Sequence, residues 1–499
     1  MKTIQSFAAL GLVLSAIACG GNTAKPLSPA DSSGKKDRSG NMVAKKASEG
    51  FNAAIDAFVA QDKSGTWTDA LCKQIAGQFD AASAEQKSAA GVDLPEAAYN
   101  SGLAYQRCGD DANAKASFAK AVNIDKNFHR ARAQLALYKF KESGNLDAAV
   151  ADLDQIIRDA KFQNVEALVG LAALQMQRGG NASGPGCSND LACAQLNLQR
   201  ALAIDDSFMP AFNQLALYYM EQAKASADKG KGGKKGGLAV SGVKKAKVDK
   251  QRLDLAALVA SQATKKNPNY APMYNTSGLI LVELENYNGA VQAFGKARQL
   301  NPKFFEAQMN YAAVNLSFRG FAEAEKAYRE ALKLRPNTYE AHLGLALALR
   351  GQIEGEAAER MLAEAQKELD AAKALDGKRA ETYYNEAILA EEYKAKRSAE
   401  PIPAFEAAIK QYQEFIGKAG SDAAFADAVK RAKDRVQDIQ DTITFMKETA
   451  AMDKAQKEDM ERMKQAEEDQ KKADAAAAAA APPAAAGAPA APPAAPPAK

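Results

Sequence analysis

Five cysteines and two histidines leave this 499-residue chain little material for thiol chemistry or for imidazole-based metal and proton-transfer sites. A nucleophilic cysteine needs a base beside it, and only His129 and His342 exist to serve. His129 opens a helical stretch next to Arg130 and reads as solvated. No GxSxG, HExxH, GxGxxG or phosphate-loop signature occurs, and the run KGKGGKKGG at 229–237 lacks both the G-K-[ST] ending and a preceding strand. It reads as a flexible lysine-rich loop. No catalytic residue, metal ligand or cofactor is expected, so the chemistry to explain is that of the cysteines. Cys19 follows an apolar run, while Cys72, Cys108, Cys187 and Cys193 lie far downstream.

The run before Cys19 spans Phe7 to Ala18, twelve residues after a short positive start at Lys2. That length suits a signal peptide and is too short to cross a bilayer. With Ala16, Ile17 and Ala18 ahead of the cysteine, the stretch resembles the lipobox of bacterial lipoproteins, although Ala16 stands where leucine is usual. The resemblance implies cleavage after residue 18 and acylation of Cys19, and several acyl chains anchor stably where one would not. Gly20 in place of aspartate implies the outer membrane, inner leaflet, facing the periplasm. Residues 19–46, rich in Gly, Ser, Pro and Lys, read as a disordered tether.

Composition sets the rest of the frame. With 47% hydrophobic and 25% charged residues, most of the chain can fold around a core. A net charge of +4 gives no reason to expect a nucleic-acid partner.

Self-comparison carries the strongest signal. From APMYNTSGLILVELENYNGAVQAFGKARQLNP to FFEAQMNYAAVNLSFRGFAEAEKAYREALKLRP the pattern advances by 34 residues. Gly278 maps to Ala312, Ala290 to Ala324, Phe294 to Tyr328, Ala297 to Ala331 and Pro302 to Pro336. A helix–turn–helix with these small, aromatic and proline positions resembles the tetratricopeptide repeat. Small residues let the two helices approach, an aromatic fills the gap, and proline stops the second helix. Further copies lie near 95–128 and 129–163, one is marked by Gly170 and Ala194, the next is split between Ala216 and Ala256, and others start near 337 and 378, several with inserted turns.

The resulting expectation is an all-α tetratricopeptide solenoid, a right-handed superhelix over 95–417 with inserted loops at 179–190 and 226–248. A degenerate helical pair is expected at 47–94. Phe425, Val429, Val436, Ile439 and Ile443 recur at helical spacing within 418–473, as a capping helix that then projects into solvent or pairs as a coiled coil. Residues 474–499 read as an Ala/Pro tail.

The four remaining cysteines allow three pairings. Stacking of the kind the resemblance implies runs neighbouring helices antiparallel, which would bring Cys72 to Cys108 and leave Cys187 with Cys193. His342 takes the place where the repeat prefers tryptophan and is expected to pack between helices.

In tetratricopeptide repeats the groove is lined by first-helix positions two, five, nine, twelve and thirteen. Those positions hold Tyr99, Leu103, Asn275, Leu279, Met309, Leu316, Leu343, Leu347 and Tyr384, an apolar set suited to an amphipathic helix or an extended hydrophobic segment. The family implies a non-enzymatic, lipid-anchored periplasmic scaffold that binds envelope proteins through this groove, with no nucleic acid and no small-molecule substrate. Gliding-motility complexes of the myxobacterial kind fit the Ala/Pro tail and inserted loops. The alternatives are a pilotin-like secretin or barrel-assembly lipoprotein and, in another class, an accessory subunit of a glycan-processing enzyme.

Overall fold

The computed structural model describes residues 36–37, 40–64, 67–228 and 249–480. The signal peptide, Cys19, nearly all of the 226–248 loop and the tail from 481 lie outside the described residues. Within them the chain forms nine successive helical hairpins and a last long helix. The first hairpin is α1 (Lys45–Ser64) with α2 (Asp69–Ala90). Then come α3 (Pro95–Arg107) with α4 (Asp111–Ile124), α5 (His129–Ser143) with α6 (Leu146–Asp159), and α7 (Val165–Arg178) with α8 (Asp190–Ile204). The stack continues through α9 (Met209–Asp228) and α10 (Lys250–Lys266), α11 (Ala271–Glu283) and α12 (Tyr287–Leu300), and α13 (Phe305–Ser317) and α14 (Phe321–Leu334). It ends with α15 (Tyr339–Arg350) and α16 (Ala358–Leu375), α17 (Ala380–Ile388) and α18 (Ile402–Ala419), and finally α19 (Ala426–Ala480). This is the all-α tetratricopeptide solenoid expected from the 34-residue spacing.

Local sequence dictates many of the starts. Asn145, Asn164, Asn189 and Asn286 each accept a hydrogen bond from the backbone N–H three residues on, at 2.9–3.1 Å. These caps satisfy donors that a helix leaves open at its N-terminus. The glycines of the repeat work through close approach. A Cβ on Gly278 would sit 2.5 Å from the Phe294 ring, and one on Gly102 would sit 2.7 Å from Phe118. Tyr328 differs: its own repeat carries Ala312, and its ring lies instead against Gly344 of the next repeat, 2.3 Å from where a Cβ would stand.

Two expected boundaries need correction. Residues 42–46 are not free tether. Gln86, fully buried in α2, accepts from the Ala44 N–H at 2.7 Å and donates to the Met42 carbonyl at 2.8 Å, while Val43 enters the core. The helix at the other end runs past 473 to Ala480, because an uninterrupted alanine run favours helix until the prolines begin. Its first half seals the stack, with Ala428, Ala432, Ile439 and Ile443 buried against Tyr412 and Phe415 of α18. From Lys447 to Ala477 the side chains are exposed throughout. At 1.5 Å per residue that arm extends roughly 45 Å.

Candidate functional site

The first helices of the hairpins do not stand apart around an open groove. α5 packs on α7, α7 on α9, α9 on α11, α11 on α13, and α13 on α15. Side chains at positions five and nine therefore fall into the joints between repeats. Tyr99 is buried between Phe118 and Phe128, with ring centroids 5.5 and 5.2 Å away, and Leu103 lies in the same cluster. Met309, Leu316, Leu343 and Leu347 share one core cluster. Tyr384 packs on Tyr412 and Phe415, at 5.7 and 4.9 Å. Asn275 is buried and accepts from Asn310 at 2.9 Å. Only Leu279 of the nine is partly exposed. The expectation of an accessible apolar groove at these residues is thus corrected: all but Leu279 are buried, some where neighbouring first helices touch and others, such as Tyr99 and Tyr384, against the second helix of their own hairpin.

Polar residues at position six were not singled out from the sequence, and they do distinctive work. Gln106 of α3 donates to Gln134 of α5 at 3.1 Å, and Thr276 of α11 donates to Asn213 of α9 at 2.7 Å. Asn310 of α13 donates to Asn275 of α11, and Arg350 of α15 donates to Asn385 of α17 at 2.8 Å. The Tyr339 and Thr382 hydroxyls lie 2.6 Å apart across that last joint. Buried amides must find partners, so these bonds fix how the first helices register on one another at the α3–α5, α9–α11, α11–α13 and α15–α17 joints. The signal was present in the spacing, since Gln134, Gln214, Thr276, Asn310 and Asn385 all take the sixth place of their helices.

A second series of contacts clamps the repeats from outside. Arg298 lies 4.1 Å above the Tyr311 ring and donates to Gln308 at 2.5 Å. Arg335 covers Phe305 at 4.1 Å and donates to Glu306 at 2.9 Å. Arg379 covers Tyr339 at 3.9 Å and donates to Glu340 and Glu381. Burial and the nearby Glu381 push the Tyr339 hydroxyl up to about 12. Stacked, partly desolvated guanidinium groups of this kind are worth about 1 kcal/mol each.

The four described cysteines fall into two pairs at bonding distance. Cys72 of α2 and the C-terminal cap of α3, Cys108, have Cα atoms 6.3 Å apart. Cys187 and Cys193, across the start of α8, are 5.0 Å apart. The 179–189 loop is further tied by Arg178, which donates to the fully buried Asp190 at 2.6 and 2.8 Å. His342 packs between helices, as its repeat position implies, but through polar contacts: Nδ1 lies 2.6 Å from Glu368 and Nε2 lies 2.8 Å from the Pro336 carbonyl. His129 lies 3.3 Å from Arg132. Among the described residues no group of three or more His, Cys, Asp or Glu side chains is arranged to hold a metal ion. No described helix is long and apolar enough to cross a membrane.

Paired helices at a 34-residue period, glycine–aromatic contacts at fixed places and direct stacking of first helices define a tetratricopeptide-repeat solenoid. The family described as tetratricopeptide repeat matches residues 95–128 and 271–304. Repeats of this type mediate protein–protein interaction and scaffolding. No curated protein matches the chain. Among solved structures it is similar to TTC0263, a thermophilic tetratricopeptide-repeat protein of Thermus thermophilus, at 22% identity over 44% of this chain and 99% of that one, with a TM-score of 0.36. It is similar to pilF of Pseudomonas aeruginosa at 18% identity over 54% of this chain and 97% of that one, with a TM-score of 0.38. It is also similar to YrrB, described as having an unusual peptide-binding site, at 18% identity over 47% and 97% of the two chains, with a TM-score of 0.33. These scores lie under 0.5, and the fold assignment stands on the repeats themselves.

Proposed function

We propose that this chain is a non-enzymatic, lipid-anchored scaffold facing the periplasm, which assembles or stabilises a cell-envelope machine, a gliding-motility complex being the foremost candidate. The observation that carries the reading is a long stack of interaction repeats combined with a cysteine directly after a signal-like apolar run. The two cysteine pairs at bonding distance support an oxidising compartment, since structural disulfides persist outside the cytosol. Partner proteins meet the solenoid at its exposed edges and along the projecting arm of α19, because eight of the nine first-helix positions expected to receive them are buried.

The test begins at the anchor. Cells expressing wild-type or Cys19→Ser protein are fed a clickable fatty-acid analogue, and the protein is recovered and scored for label. Wild type should carry label and fractionate with membranes, and the variant should lose both. Equal labelling of the two would end the lipoprotein reading. Affinity capture from crosslinked envelopes then tests the scaffold half: recovery of no envelope protein above an untagged control would refute it.

A further inference from the structure

The arm of α19 carries a row of large apolar side chains that no described residue covers. Phe445, Met452, Met460 and Met463 are 68%, 70%, 55% and 73% exposed. Single exposed methionines need no explanation, but a row of them on one helix does. Seven residues make two helical turns and eleven make three, so Phe445, Met452 and Met463 stand in line, with Met460 one row aside. Thr449 and Gln456 complete the row, which turns acidic at Glu467 and Asp474. The residues by which α19 seals the stack, Ala432, Ile439 and Ile443, lie on the other side of the helix; the directions of 443 and 445 differ by about 160°. The row therefore faces away from the solenoid, where a second helix can approach without displacing anything.

Charge borders the row unequally. Lys457, Lys464 and Lys471 run along one side at seven-residue intervals, with Asp453 the one acid among them. Glu448, Asp459 and Asp469 run along the other, where Arg462 is tied within the helix to Asp459 at 3.6 Å. Two copies of this helix running in the same direction set the lysine side of each against the acidic side of the other. Running in opposite directions they set lysines against lysines. A row bordered by opposite charges is thus complementary to itself in one orientation, as a two-fold pair requires.

We propose that the occupant of this row is the same arm of a second copy, the two helices parallel and in register. Phe445, Met452 and Met463 each meet their own counterpart across the two-fold axis. Asp459 of one copy stands near Lys464 of the other, the offset at which flanking charges meet in parallel helix pairs. Methionine suits such a seam, because its unbranched side chain adapts to the facing surface. The inference goes beyond the scaffold reading and does not rest on the lipid anchor.

Sedimentation equilibrium of the full chain tests it, with Cys19→Ser in every sample so that no acyl group contributes. That chain should form a reversible dimer at or below about 100 μM. Met452→Glu with Met463→Glu should weaken the dimer at least about tenfold and leave the melting temperature of the stack unchanged, since both positions are exposed. Lys464→Glu should weaken it about fivefold, and adding Asp459→Lys should restore most of the loss. Direction is read by oxidising Thr449→Cys and Gln456→Cys separately. Each should crosslink to its own counterpart in a parallel pair, whereas an antiparallel pair brings at most one of the two positions opposite itself. A chain that stays monomeric over this range, or a dimer indifferent to the methionine substitutions, overturns the proposal. So does a dimer that fails to crosslink at both positions, and so does a monomeric chain whose methionine row instead binds a different envelope protein. Failure of lipid labelling at Cys19 would leave these results untouched, so the two readings fail separately.

Discussion

At the scale of single residues, His342 shows how a position can keep its place in a repeat while changing its chemistry. Tryptophan would fill this gap with apolar surface; histidine fills it with a ring held at both nitrogens. Both partners, the Glu368 carboxylate and the Pro336 carbonyl, are acceptors, so the ring is best served as an imidazolium donating from each nitrogen. The Glu368 hydrogen bond pushes the His342 pKa up, the Pro336 carbonyl adds to this, and burial opposes it. A group whose pKa is raised on folding adds stability that is complete below its unfolded pKa and disappears as pH rises through the folded one. Chemical denaturation should therefore show wild type gaining stability over His342→Gln at pH 5.5–6, with that margin shrinking toward pH 8.5. A margin that is flat across this range, or that grows with pH, would show the ring to be neutral when folded.

At the scale of the element, the contact between Gly278 and Phe294 sets how closely α11 and α12 approach. The Phe294 ring is fully buried and cannot swing into solvent, so Gly278→Ala forces the helices apart despite alanine's better helix propensity. The expected loss is about 1–3 kcal/mol. Gly295→Ala is the natural control, because a Cβ there would meet Tyr311 at an ordinary 3.6 Å; it should be neutral or stabilising by up to about 1 kcal/mol. Urea titration of the two variants decides the matter, and equal midpoints would show that the ring has another place to go. Tyr328 has found one, against Gly344. Much of this was legible in the sequence, because glycine, alanine and aromatic positions recur at a period that local geometry enforces. What escaped was depth. A position-five or position-nine side chain has the same type whether neighbouring first helices splay or touch, and the distance between them depends on the sum of many small residues, Ala307, Ala312, Ala341 and Ala346 among them. Arg350 escaped for a similar reason, since an arginine at the end of a helix ordinarily reaches water. The amide hydrogen bonds were visible in principle at the sixth place, but only a search for polar recurrence would have found them.

At the scale of the molecule, the stack turns back toward its own start: the Lys303 ammonium at the α12–α13 turn lies 3.5 Å from Asp69 at the start of α2, 234 residues earlier. Both side chains are exposed, and a surface pair of this kind contributes at most about 1 kcal/mol, so the contact reports the path of the solenoid more than it holds it. Closure at the far end is a different matter. A repeat array leaves its last apolar face open unless something covers it, and here the cover is the first part of α19. Its remainder touches nothing among the described residues except through pairs within the helix, such as Lys454 with Glu458 and Lys471 with Glu467, and a long Lys447–Glu406 pair at its root. A chain ending after residue 446 keeps Ile439 and Ile443 on α18 and should melt within about 1 °C of the full protein, losing only helical signal in proportion to its missing residues. A chain ending after Gly420 uncovers Tyr412 and Phe415, and should melt several degrees lower and bind a hydrophobic dye before the main transition. If the two truncations melt alike, α19 does not seal the stack. If only the chain ending after Gly420 is destabilised, the 447–480 arm is free of any duty to the fold and available for a partner.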